Sequence, residues 1–283
     1  MHKIGTSERP DLALAVVVGA GGLGVAIARR MALSYRVLLV DVDGARAEAE
    51  AERLRGEGCD ARAVACDITS AEAVADLAAG IEASGGFQAA VIVAGISPSG
   101  GNFRQIAAVN LHGAALVVEA LRPIARPGSA MVMISSLAAH LFTPSAEAAE
   151  ILKKPADPGM VEALERCLGP DGAIPTAAYG LSKWGMNLMA RRQAPAWGER
   201  GARIVTLSPG LIATPMGARE FAASEAKREL YKKSPILREC TMLEIADGVE
   251  FLASPRASFI SGTDLRIDGG LAAAVLDALP ALR

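Results

Sequence analysis

The order of apolar runs predicts an α/β chain, a doubly wound parallel sheet with helices on both faces. Three observations predict it. Short β-type runs alternate with longer amphipathic stretches, as successive βαβ units do. A glycine turn, GAGGLG at 19–24, joins the first run to the first amphipathic stretch. Asp41 closes the second run, 22 positions after Gly19.

The elements follow in order. ALAVVV (13–18) reads as a buried strand, and a helix over 22–33 follows the glycine turn. YRVLLVD (35–41) is the second strand, and the Ala/Glu/Arg stretch 44–56 is a helix ending near Gly56 and Gly58. ARAVAC (61–66) is the third strand, with a helix over 70–84. QAAVIVA (88–94) is the fourth, followed by a long helix over 103–121 that stops before Pro123. SAMVMIS (129–135) is the fifth; after an irregular region come a helix over 177–194, strand ARIVTLS (202–208), a helix over 243–253 and strand DLRID (264–268). Nothing between 11 and 271 reads as a domain boundary, so 1–283 is taken as one domain.

Composition narrows the function classes. The 283 residues are 51% apolar with a formal net charge of -2, enough for a large core and without the basic footprint of a nucleic-acid or anionic-membrane binder. Cys59, Cys66, Cys167 and Cys240 form no C-x-x-C pair, so neither a zinc site nor a disulfide framework is suggested and a cytoplasmic chain with reduced thiols is expected. The uncharged stretch 12–28 imitates a signal peptide or membrane span, but four glycines within six positions break it. Residues 1–10, with Lys3, Glu8, Arg9 and Pro10, read as a loose leader.

The glycine turn fits G-x-G-x-x-G at Gly19, Gly21 and Gly24, between a strand and a helix. Glycines let the backbone approach a pyrophosphate, and the helix N-terminus offers free N–H groups. Asp41 would hold the adenosine ribose hydroxyls and repel a 2′-phosphate, which favours NAD over NADP. Arg46 is the one nearby cation that weakens this preference. Asp67 either accepts from the adenine amino group or caps the helix beginning near Ser70.

In AAYGLSKWG (177–185), Tyr179 and Lys183 lie one helical turn apart on one face. Other landmarks come in order: Val-Ala-Gly at 93–95, Val-Asn-Leu-His-Gly at 109–113, Ile-Ser-Ser at 134–136, Tyr-Gly-Leu-Ser-Lys at 179–183, Ser-Pro-Gly at 208–210 with Thr214-Pro215-Met216, then Ile-Ser-Gly and Asp-Gly-Gly within 260–270. Taken together over 12–271 the chain resembles the short-chain dehydrogenase/reductase family. The resemblance implies a single Rossmann domain with a seven-stranded parallel sheet. It implies that Tyr179 is the general acid/base and that Lys183 binds the nicotinamide ribose and, with the positive nicotinamide of bound NAD+, favours the phenolate. Ser136 would hold the reacting oxygen, and Asn110 would sustain a water relay behind the lysine. With Gly19, Gly21, Leu23, Gly24, Asp41, Asp67, Ile68, Ala94, Gly95, Pro209, Gly210, Ile212 and Thr214, the tyrosine and lysine would form the NAD site. The implied partners are a small alcohol or ketone and further copies of the chain, as a homotetramer or homodimer, through the helices over 103–121 and 177–194 and the last strand.

The sequence departs from the family pattern in four places. The glycine turn is one residue tighter, with Val18 where a threonine is usual. Val93 replaces an asparagine. Only 15 positions separate Gly95 from Asn110, too few for an extra helix. Ser136 and Tyr179 are 43 apart, against a dozen or so in the family. The excess, 141–175, carries two helix signatures: Ser145 as N-cap of SAEAAEILKK, and Asp157 as N-cap with Pro158 first and Gly169 at the stop of DPGMVEALERCLG. Anchored beside Ser136 and Tyr179, it is expected to wall the substrate pocket; an oligomer contact is the alternative. A second lid is expected over 216–238, and Leu141, Phe142 and Ile212 suggest an apolar lining. His140 either faces substrate or belongs to a loop; His112 and Met131, Met133, Met186 and Met189 are expected to pack. Two rivals share the fold: a dinucleotide sensor, which has no use for Tyr179, and a methyltransferase, which leaves the later landmarks unexplained.

Overall fold

A computed structural model describes residues 11–214, 217, 221 and 225–276. Seven parallel strands form one sheet in the order β3-β2-β1-β4-β5-β6-β7. They are β1 (Leu14–Val18), β2 (Arg36–Asp41), β3 (Ala61–Ala65), β4 (Ala89–Ile92), β5 (Ala130–Ile134), β6 (Arg203–Pro209) and β7 (Asp264–Ile267). The connecting helices are α1 (Gly22–Met31), α2 (Gly44–Gly56), α3 (Ala71–Ala83), α4 (Phe103–Ala107), α5 (Ala114–Leu121), α6 (Ala138–Leu141), α7 (Ala146–Ile151), α8 (Met160–Gly172), α9 (Pro175–Gly198), α10 (Glu225–Lys232), α11 (Met242–Ala253) and α12 (Leu271–Leu276).

Side chains alternate along each strand, so the two faces of the sheet sort cleanly. Val16, Val18, Ala90, Ile92, Met131, Met133 and Ile204 meet α3, α5 and α9 in one core. Ala15, Val17, Leu39, Val91, Val132 and Val205 meet α1, α2 and α11 in the other. Met186 and Met189 join the first core, as expected of packing methionines. Strand order reverses between β1 and β4, which opens a crevice at the carboxyl ends of the strands.

Several expectations are corrected. The long helix is not uniform: between α4 and α5, Ala108–Gly113 takes a π-helical turn, and Asn110 lies within it. β4 stops at Ile92, and the helix that carries Tyr179 and Lys183 starts at Pro175 and runs through Pro195 to Gly198. Ser145 does cap its helix, its hydroxyl accepting from Ala148 N–H. Asp157 does not: its carboxylate takes the Gly159 N–H at 2.8 Å in a local turn, and α8 begins at Met160. Gly169 breaks the helix with φ 67°, after which Pro170 opens a final turn.

The insertion has its own core. Ala148, Leu152, Met160 and Leu164 pack on Phe103, Ile106 and Leu111 of the long helix and on Ala178 and Leu181 of α9. Arg104 pairs with Glu165 and Glu162 across the same junction, and His112 Nδ1 meets the Pro155 carbonyl at 3.0 Å. The N-terminal halves of both helices expected to face a partner copy are therefore covered by the chain's own insertion. Among the described residues no helix is long and apolar enough to cross a membrane. The leader 1–10, Pro215, Met216 and much of the first half of the expected lid lie outside the described residues.

Candidate active site

The glycine turn is built by exclusion. Gly19 has φ 112°, and a Cβ there would stand 2.6 Å from Ala94 N; a Cβ on Gly24 would stand 1.8 Å from Gly19 O. Only glycine lets β1, the turn and the Ala94–Gly95 segment pass this closely. α1 starts at Gly22 behind Gly21, with no side-chain cap and no acid in its first turn. Its N–H groups and positive dipole end are left for an anion, which fits a dinucleotide pyrophosphate. Gly21 has open space about it, and Leu23 packs toward the core below.

Asp41 ends β2 almost fully buried. Its carboxylate accepts from Ala20 N–H at 2.7 Å, Asp43 N–H at 3.0 Å and the Arg46 guanidinium at 2.5 Å. Burial pushes the carboxyl up, but the two backbone donors and Arg46 outweigh it and hold it below its ordinary value. Arg46, the doubtful cation of the sequence reading, is thus the partner of Asp41. Asp67 is not the helix cap: Ser70 caps α3 from Ala73 N–H, while Asp67 accepts from Thr69 N–H and hydroxyl and is exposed. Ile68 is buried against Gly113, where a Cβ would stand 2.8 Å from it.

The other half of the site assembles around α9. The Ser136 hydroxyl stands near enough to the Tyr179 phenol to draw its pKa downward. Lys183 Nζ lies 5.7 Å from the Tyr179 ring centroid and donates to the Ile134 carbonyl at 2.8 Å. A Cβ on Gly95 would lie 3.3 Å from Asn110 Oδ1 and 3.8 Å from Lys183 Nζ, so Gly95, Asn110 and Lys183 meet. Asn110 is fully buried and bonds both polar groups of Ile96, taking its N–H at 2.6 Å and donating to its carbonyl at 2.9 Å. The four residues that the resemblance makes catalytic therefore converge.

Their electrostatics differ from expectation. Burial pushes the Tyr179 phenol up from its ordinary value, and the Ser136 hydroxyl pulls the other way without overcoming it. Burial also pushes the Lys183 ammonium down to about 8. Lysine proximity alone does not make the phenol acidic in the chain by itself.

At the end of β6, Pro209 accepts from Leu137 N–H at 2.8 Å, and Gly210 passes Asp268 so closely that a Cβ would stand 2.8 Å from its Cα. Ile212 bridges to Cys240, and Thr214 Oγ1 accepts from Gly217 N–H at 2.8 Å. Phe142 lies against Gly180, where a Cβ would meet its ring at 2.9 Å, which brings the start of the insertion beside Tyr179. His140, expected in a loop or facing substrate, lies on α6 and meets Asp264 at 2.8 Å. This contact spans 124 positions, and no local sequence signal announces it.

The chain matches the family model described as Enoyl-(Acyl carrier protein) reductase over residues 18–174 and 168–272. It is 32% identical over 230 residues to short-chain dehydrogenase/reductase bsc3 of Alternaria brassicicola, covering 77% of this chain and 80% of that one. It is also 32% identical over 222 residues to the 3-alpha-hydroxysteroid dehydrogenase/carbonyl reductase of Comamonas testosteroni, covering 75% and 83%. A short-chain type dehydrogenase/reductase from Mycobacterium ulcerans superposes with a TM-score of 0.75 at 21% identity, covering 92% of this chain and 90% of that one, a likeness of fold.

Proposed function

Since the chain belongs to the short-chain dehydrogenase/reductase family of NAD(P)-dependent oxidoreductases, we propose that it moves a hydride between NAD and the carbon of a secondary alcohol or its ketone. The observation that carries this reading is the meeting of Ser136, Tyr179 and Lys183. The carbonyl reductase activity named for the Comamonas testosteroni relative supports the substrate class.

Bound on the glycine turn and α9, nicotinamide would supply the hydride acceptor or donor. The chain supplies the proton chemistry. Ser136 Oγ accepts from Ala138 N–H at 3.2 Å and its own proton serves the Tyr179 phenol; a reacting oxygen seated between the two would take that proton's hydrogen bond instead. Tyr179 exchanges a proton with that same oxygen. Ketone reduction draws its proton from the phenol and alcohol oxidation runs through the phenolate; burial opposes proton release in both, and each added positive charge, Lys183 first, eases it. Lys183 spends one of its three N–H donors on Ile134 and keeps two for ribose hydroxyls. Asn110 pins the Ile96 backbone beside Gly95 and so steadies the floor under Lys183.

The ionised Asp41 supports a preference for NAD over NADP, because a 2′-phosphate would meet a carboxylate there. Phe142 beside Gly180 and the half-exposed Leu141 support the insertion as a wall of the substrate pocket. Assembly into a homodimer or homotetramer, through the helices over 103–121 and 177–194 and the last strand, and a cytoplasmic site are parts of the same reading.

The test is Tyr179→Phe against a screen of secondary alcohols, steroids and sugars with both cofactors. Turnover should fall about 10³-fold or more while NAD binding, followed by fluorescence titration, stays within about twofold. Undiminished turnover in the variant would end the reading. NAD binding with no turnover of any alcohol by the native chain would favour a sensor instead.

A further inference from the structure

We propose that His140 is a positioning residue that clamps the Ser136 turn to the strand leading into the nicotinamide-side loop. The inference rests on the reading of Ser136 as the hydroxyl that holds the reacting oxygen. Ser136 stands at the head of α6, a helix of one turn. So short a helix has almost no stability of its own, because nucleation costs more than its few hydrogen bonds return. It must be held from outside at both ends.

The head is held by the backbone, Leu137 N–H donating to the Pro209 carbonyl at 2.8 Å. The tail is held by a side chain, His140 Nε2 lying 2.8 Å from Asp264 Oδ2. The other oxygen of Asp264 accepts from the Ser208 hydroxyl at 2.9 Å. An ionised carboxylate only accepts, so Nε2 carries the proton and the ring is fixed in orientation. His140 is 24% and Asp264 12% exposed, which shields the bond from water more than a surface pair. The three residues come from α6, β6 and β7. β6 ends at Pro209 and runs directly into Gly210, so one network grips the serine turn and the start of the cofactor loop together.

Loss of the clamp would free Ser136 without touching Asp41 at the far side of the sheet. A misplacement of about 1 Å in a positioning group costs up to ~10²-fold in rate. His140→Ala should therefore lower kcat about tenfold or more, with KM for NAD within about twofold. His140→Gln, whose amide N–H reaches Asp264 in place of Nε2, should restore most of the rate. Asp264→Ala, which also releases the Ser208 hydroxyl, should cost at least as much as His140→Ala, and the double variant should be no slower than Asp264→Ala. The assay uses the best-turned-over secondary alcohol of the screen above. Amide hydrogen exchange of residues 137–141, which needs no substrate, should quicken about tenfold in His140→Ala and recover in His140→Gln.

Unchanged exchange in His140→Ala overturns the proposal, as does a kcat within twofold of the native value. A folded His140→Gln no better than His140→Ala, or additive losses in the double variant, also overturns it. Tyr179→Phe run alongside separates the two ideas: full turnover there removes the parent reading, while the exchange result still judges the clamp.

Discussion

Asp41 and Lys183 are both buried ionisable side chains, and they have opposite fates. Asp41 accepts from two backbone N–H groups and from Arg46, and it stays charged more firmly than a free carboxylate. Lys183 has one carbonyl, that of Ile134, and is driven toward neutrality, to about 8. Burial is common to both; the number of partners decides the outcome. A saturated charge is a fixed clamp, suited to gripping a cofactor. A half-satisfied one has donors in hand and a protonation state near the working pH, suited to chemistry.

The contrast extends to stability, with opposite signs. The folded-state value of Asp41 is depressed, so its stabilisation is present above the ordinary carboxylate value of about 4 and is lost as pH falls through the lower folded one. Lys183 is depressed from about 10.4 to about 8 on folding. Between those values the unfolded chain binds more protons, so stability rises with pH across that window, and below it the fold carries the full penalty.

The largest expected effect tests the unsatisfied side. Lys183→Met should cut turnover about 10³-fold. It should also raise unfolding stability at pH 7 by about 2 kcal/mol, taking about 3 for the relieved charge less about 1 for the Ile134 carbonyl left alone. That gain should shrink as pH climbs from 8 toward 10 in denaturant titrations; a loss of stability at pH 7 would break the comparison. Next is Asp41→Ala, which should raise KM for NAD about 10- to 100-fold and leave kcat within about threefold. A fall in kcat with KM unmoved would mean that Asp41 is no clamp. The smallest effect belongs to Arg46→Ala, since the arginine is 49% exposed. It should change KM for NAD by no more than about fivefold and weaken NADP use further, read from the ratio of the two kcat/KM values.

Much of this was legible in the sequence, and what escaped has a common cause. Each strand falls within a residue or two of its expected span because alternation and glycine punctuation are local. Ser145 is a cap because its hydroxyl acts three residues ahead. Asp157-Pro158-Gly159 has the same local chemistry twice over: the carboxylate can serve a cap or a turn, and the burial of Met160 and Leu164 under the long helix chooses the turn. The π-helical turn at Ala108–Gly113, the upward shift of the Tyr179 phenol and the His140–Asp264 bond all depend on neighbours remote in sequence. Tyr179 and Lys183 were legible as a pair; how few partners they would have was not.

Among the described residues, the core beneath the insertion takes no side chain from any strand: it joins α7 and α8 to the outer sides of the long helix and α9. Residues 146–172 can thus be exchanged or reshaped by evolution, or by a protein engineer, without disturbing the hydrogen-bond ladder of the sheet. On the proposed function, recognition varies in the helical layer while the sheet below stays constant, and Tyr179, packed against the edge of that layer, is where the two meet.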